Sequence, residues 1–108
     1  MQSDRMLQLQ AFLKENPSDD FIKFAIAKEY EKSNDFQNAI AHFESLLEDN
    51  ENYSGAYYHL GKLYIKIGDN KKALNIYNKG LTITKTIGED HDHRELMGAK
   101  QELEWSSG

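Results

Sequence analysis

The sequence predicts an all-α fold of antiparallel helical hairpins stacked side by side, about six helices in one domain. Three observations predict it. The chain nearly repeats itself at a spacing of 34 residues. The stretch YYHLGKLYIKIGDNKKALNIY, from Tyr57 to Tyr77, holds two helical apolar patterns separated by a turn signal. The flanks on either side each carry a single further helix pattern. With 108 residues, 39% hydrophobic and 29% charged, the chain has the composition of one soluble globular domain.

The first element is a helix over residues 2–15, QSDRMLQLQAFLKE, with Met6, Leu9, Phe12 and Leu13 on one face and Asn16-Pro17 after its end. A hairpin follows over 20–53 and a second over 54–87. A shift of 34 lays Ile26 on Leu60, Ala27 on Gly61, Tyr30 on Tyr64 and Asn34 on Gly68, then Asp35 on Asp69, Ala39 on Ala73, Phe43 on Tyr77 and Leu47 on Leu81. Identical pairs begin at Lys28, Tyr30, Lys32, Asp35, Ala39 and Leu47, six in all, where ordinary composition gives about two.

The break inside each hairpin has a physical cause. Glycine costs about 1 kcal/mol against alanine within a helix, so Gly68-Asp69 has no place inside one long helix. Gly68 can take the left-handed conformation that ends one helix, and Asp69 can cap the next. Ala27, Gly61, Ala39 and Ala73 are small where the two helices of a hairpin cross, while Tyr30, Tyr64, Phe43 and Tyr77 fill the space between hairpins as core rather than as cofactor contacts. After Gly88 come a polar turn, Glu89 to His93, and a last helix from about Arg94 to Trp105 that caps the array.

The paired pattern resembles the tetratricopeptide repeat, whose L-G-x2-Y and A-x3-F signature has this period. Leu60, Gly61, Tyr64, Gly68, Ala73 and Tyr77 carry the match in one copy, and Ile26, Ala27, Tyr30, Asn34, Ala39 and Phe43 in the other. The departures are Lys23 at the fourth position, Glu51 and Lys85 in place of a late proline, and Gly80 where the family has alanine. Asn16-Pro17 fits the late proline of a preceding repeat, so the first helix reads as a second helix without its partner. Met97-Gly98 matches Leu60-Gly61 once three extra residues are allowed. The resemblance implies a right-handed superhelical stack: 1–17 an N-terminal helix, 20–53 and 54–87 the two repeats, and 88–105 a capping helix.

Chemistry is sparse. There is no cysteine, hence no disulfide, zinc thiolate or thiol nucleophile. No phosphate loop, serine elbow or H-E-x-x-H pair occurs, and paired carboxylates such as Glu48-Asp49 sit among solvent-facing residues. An enzyme is not expected, nor a cofactor. His91 and His93, in the EDHDH run, are the only local candidates for a metal, and a solvated helix cap explains them better. No apolar run approaches the ~20 residues that span a bilayer, and the N-terminus lacks a signal peptide's basic flank and apolar block, so a cytoplasmic protein is expected.

Net charge is −5, distributed unevenly. Residues 20–53 carry three basic and eight acidic side chains, 54–87 six and one, and 88–108 two and six. An acidic chain is a poor nucleic-acid binder. The resemblance implies a concave face built from the first helix of each hairpin, with Phe21, Phe24, Lys28, Glu31 and Lys32 from one repeat and Gly55, Tyr58, Lys62, Ile65 and Lys66 from the next. Lys28 and Lys32, like Lys62 and Lys66, are four apart and share a helix face. Four ammonium groups beside Phe24 and Tyr58 suit an acidic peptide with an aromatic or aliphatic anchor. The family's carboxylate clamp, which needs Lys and Asn, is not expected: Phe24 and Lys28 stand at two of its positions and His59 at another. The expected function is therefore a protein–protein interaction module binding a peptide through Phe21, Phe24, Lys28, Lys32, Tyr58, His59, Lys62, Ile65 and Lys66. The alternative is an assembly element that self-associates or stacks on another helical protein, supported by the charge order and the unpartnered first helix; a monomer is favoured. The acidic tail is expected to screen the groove in part.

Overall fold

The computed structural model describes residues 2–107, and in them six helices follow one another: α1 (Asp4–Glu15), α2 (Asp20–Lys32), α3 (Phe36–Asp49), α4 (Gly55–Lys66), α5 (Asn70–Ile87) and α6 (Asp90–Ser107). Their starts are written in short polar side chains. Ser3, Asp19, Asp35 and Asp69 accept hydrogen bonds from the backbone N–H groups of Met6, Ile22, Asn38 and Lys72, which would otherwise be unpaired at the helix ends. The two hairpin turns share one backbone conformation. Asn34 has φ 63° and Gly68 has φ 84°, both left-handed, each directly before the capping aspartate.

Neighbours in sequence pack as neighbours in space: α2 on α3, α4 on α5, α3 on α4, α5 on α6, and α1 on α2. The array is elongated, 43 × 30 × 19 Å. Its core runs through Ala27, Ala39, Phe43, Leu46, Tyr57, Leu60, Leu63, Ala73 and Tyr77 into Leu96, Ala99 and Leu103 of α6. Met6, Leu9, Ala25 and Ile26 form a smaller cluster between α1 and α2.

Two glycines let the helices approach. A Cβ on Gly61 would lie 2.2 Å from the Tyr77 ring, so the α4–α5 crossing closes only because no side chain is there. At Gly80 a Cβ would meet Leu96 and Tyr57, both at 2.8 Å, which seats α6 and α4 together against α5.

Three expectations need correction. Glu89 to His93 is not a free turn, because α6 begins at Asp90. Its early carboxylates, Asp90 and Asp92, complement the positive end of the helix dipole, and Asp92 accepts from the Ser54 hydroxyl at 2.5 Å. Phe12 does not join the apolar face of α1; it is 53% exposed, since α1 packs on α2 only through the Met6–Leu9 side. Tyr30 is only partly buried, against His42 at 4.9 Å, while Phe43 and Tyr77 are fully enclosed. Tyr77 lies against Gly61 of its own hairpin and shares one core cluster with Leu96, Ala99 and Leu103 of α6.

Candidate functional site

Helix α2 carries most of the groove, and α4 contributes one residue. Phe21, Phe24, Ala25, Lys28, Glu31 and Lys32 line it from α2 and Lys66 from α4, around a cavity of about 570 Å³. Helical spacing explains the α2 set: Phe21, Phe24, Lys28 and Lys32 recur every three or four residues and so share one stripe. Arg5 and Asn34 line the groove too and had no sequence signal as groove residues, because α1 and the hairpin turn enter it only through packing; Glu29 of α2 is the remaining lining residue.

An aromatic cluster gathers around Phe24. The Phe24 ring centroid lies 5.8 Å from Phe43, 5.2 Å from Tyr53 and 5.5 Å from His59, so one half-buried side chain ties the two repeats together. Tyr53 was not among the sequence candidates; it lies before α4 and reaches Phe24 across the hairpin boundary. His59 stacks on Phe43 at 5.7 Å with an interplanar angle of 7°, and Tyr58 meets it edge-on at 5.7 Å. Phe21 lines the groove beside Phe24 and is 67% exposed.

The charges sort into paired and unpaired. His59 Nδ1 lies 3.0 Å from Glu31 Oε1, and Arg5 lies 3.6 Å from Glu29. Both groove carboxylates therefore already have partners. Lys62 is drawn away from the other lysines, its Nζ 3.5 Å from Glu102 of α6 and 5.5 Å from the Tyr58 ring. The four lysines expected together are thus three and one. Lys28 sits over the Phe24 ring at 5.4 Å and Lys66 over Phe36 at 5.3 Å. Among the described residues no carboxylate pairs with Lys28, Lys32 or Lys66. Ile65 is half-buried against the core, and neither it nor Tyr58, His59 or Lys62, all expected in the groove, lines this cavity. Gly55 approaches Phe24, with a Cβ position 3.8 Å from the ring.

The histidines of α6 do not converge. His93 Nδ1 lies 2.8 Å from the buried Thr84 hydroxyl, which itself donates to the Gly80 carbonyl at 2.8 Å. His91 is exposed, and two residues apart on a helix places the imidazoles on opposing sides. Among the described residues no group of three or more metal-ligating side chains gathers, and no helix is long and apolar enough to cross a membrane.

Comparison with known proteins agrees with this architecture. A tetratricopeptide repeat family model matches residues 31–86. The crystal structure of a tetratricopeptide repeat domain protein from Salinibacter ruber is 37% identical, with TM-score 0.77, over 81% of this chain and 97% of that one. A solution structure from the same organism, also of a tetratricopeptide repeat domain protein, is 38% identical with TM-score 0.77, over 82% and 89%. A Bordetella parapertussis protein is 25% identical with TM-score 0.84, over 98% and 91%. The comparison with curated proteins produced no match.

Proposed function

The chain belongs to the tetratricopeptide repeat family, and from that premise we propose that it is an interaction module holding an extended acidic peptide in the groove between α2 and α4. Proteins of this family generally mediate protein–protein interaction rather than catalysis. The observation that carries the reading is the set of unpaired cations. Lys28, Lys32 and Lys66 line one groove with Phe21 and Phe24, while Glu29 and Glu31 are held by Arg5 and His59. Ammonium groups without counter-ions beside aromatic faces attract carboxylates, and exposed Phe21 offers an apolar anchor point.

Lys62 and Tyr58 extend the same surface toward α6. There Glu102 pairs with Lys62 at 3.5 Å, which supports partial screening of that end by the acidic helix.

The test uses a labelled peptide of alternating Glu and Phe residues, titrated by fluorescence anisotropy. Lys28→Glu and Lys66→Glu each weaken binding about tenfold, equivalent to about 1.4 kcal/mol, with no change in thermal midpoint. Lys62→Glu weakens it less. Affinity falls as salt rises. Equal affinity for all variants would remove the groove from the function. A pull-down from native cytosol, repeated with the Lys28 and Lys66 reversals together, then identifies the natural partner.

A further inference from the structure

The two ends of the array are unfinished in complementary ways. Each second helix of a hairpin is clasped by two first helices, α3 by α2 and α4, α5 by α4 and α6. Helix α1 stands in the same register. A shift of 34 lays Arg5, Leu9 and Phe12 on Ala39, Phe43 and Leu46, and a second such shift lays them on Ala73, Tyr77 and Gly80. Yet among the described residues α1 packs extensively on α2 alone. Helix α6 is the converse. Arg94, Met97, Gly98 and Gln101 fall on Tyr57, Leu60, Gly61 and Tyr64 when three extra residues are allowed. In α4 that face is buried under α5; in α6 the same four positions are exposed. A Cβ on Gly98 would meet nothing within 4 Å, where one on Gly61 would strike Tyr77. The open face borders a hollow of about 660 Å³ lined with Leu81, Lys100 and Glu104.

We propose that this face receives α1 of a second copy, so that α6 and the incoming helix complete a hairpin and copies join head to tail. The α4–α5 pairing supplies the register, since Tyr77 lies over Gly61 and Gly80 over Tyr57. Carried over, the incoming Leu9, already buried against its own α2, comes opposite Gly98, and the exposed incoming Phe12 covers Arg94, placing a guanidinium on an aromatic face. The first turns of α5 run beside the Tyr64 end of α4, where Lys72 sits over the Tyr64 ring at 5.6 Å. That places the incoming Arg5 beside Gln101, with Glu104 one turn further along α6.

The size changes compensate across the two helices. Where α5 has Ala73 against the Tyr64 end, α1 has the larger Arg5 and α6 the smaller Gln101. Arg5 brings its own counter-ion, Glu29 at 3.6 Å, and gains Glu104 on the other side, so its charge is not buried unpaired. Phe12, 53% exposed, and Met97, 54% exposed, become the apolar centre of the joint. This matched exchange is the reason to assign the face to a copy of this chain. The contact is heterologous and does not close on itself at two copies, so it builds open chains. The open face of α6 borders a hollow separate from the Lys28 groove; Arg5 alone belongs to both surfaces, so the Phe12 and Gly98 variants test the joint without touching the groove.

Sedimentation velocity from about 10 µM to about 1 mM tests it. The wild type grows with concentration and shows no plateau at a dimer. Phe12→Glu blocks one end and Gly98→Arg the other; both positions are exposed, so circular dichroism and thermal midpoint report intact folding. Each variant alone is monomeric, and an equimolar mixture forms a one-to-one dimer and nothing larger. Arg5→Glu weakens assembly and Glu104→Arg in the same chain restores it. A wild type monomeric across the range, variants that still assemble alone, or a mixture that stays monomeric each overturns the proposal.

Discussion

Replacing Gly61 with alanine sets two effects of opposite sign against each other. Alanine favours a helix over glycine by about 1 kcal/mol, so a helix-propensity argument alone predicts a more stable protein. The structure predicts the reverse. The new Cβ would lie 2.2 Å from Tyr77 Cε1 and 2.7 Å from Cδ1 and Cζ. Ordinary contact would require the ring to retreat by about 1 Å, and Tyr77 is fully enclosed in a close-packed interior. Overpacking of this kind costs about 1–3 kcal/mol, toward the upper end when the obstructing group is a locked ring. The net is a loss of about 2 kcal/mol, or about 10 °C in thermal midpoint for a domain of this size. Gly98→Ala is the internal control: also a glycine in a helix, but with open space at its Cβ. It gains about 1 kcal/mol. Thermal and urea unfolding at low protein concentration measure both variants side by side. A midpoint for Gly61→Ala at or above that of the wild type would refute the close-crossing argument.

Tyr77→Phe keeps full stability or raises it, because the buried Tyr77 hydroxyl has no hydrogen-bond partner among the described residues and its removal forfeits only a desolvation cost; urea midpoints decide it. Gly68→Ala loses about 1 kcal/mol, since φ 84° is costly for any side chain, while Asn34→Gly at φ 63° does not destabilise the turn. Glu102→Gln releases Lys62 and strengthens binding of the acidic peptide severalfold at low salt, read by the same anisotropy titration.

Alkaline pH destabilises the fold. Burial, with Glu51 adding to it, pushes the Tyr57 phenol from 10.0 up to about 12. Burial and the Glu44 carboxylate that accepts the Tyr64 hydroxyl push that phenol up as well, and Tyr77 rises for want of solvent. An unfolded chain then releases these protons at lower pH than the folded one, so stability is whole below pH 10.0 and declines as pH rises toward about 12. Urea unfolding at rising pH, with tyrosinate absorbance as the second readout, checks the sign. Simultaneous ionisation of all tyrosines near their ordinary value in the folded protein would contradict it.

Helical periodicity and turn chemistry are local properties, and they made the hairpins legible in the sequence. The repeat of 34, the Asn34-Asp35 and Gly68-Asp69 breaks, and the small residues at Ala27, Gly61, Ala39 and Ala73 could be read without coordinates because each follows from backbone geometry or the space between two helices. The stripe of Phe21, Phe24, Lys28 and Lys32 was legible for the same reason: one helix face is set by spacing alone. Which lysines remain unpaired was not, because Lys62 meets a carboxylate on α6 and Arg5 reaches in from α1. Nor could sequence place the start of α6 at Asp90, since its acidic first turn reads as a loop until Ser54 and Thr84 supply partners. Periodicity states the direction a side chain takes from its own helix axis. Only the packing of one axis on another determines what that side chain meets.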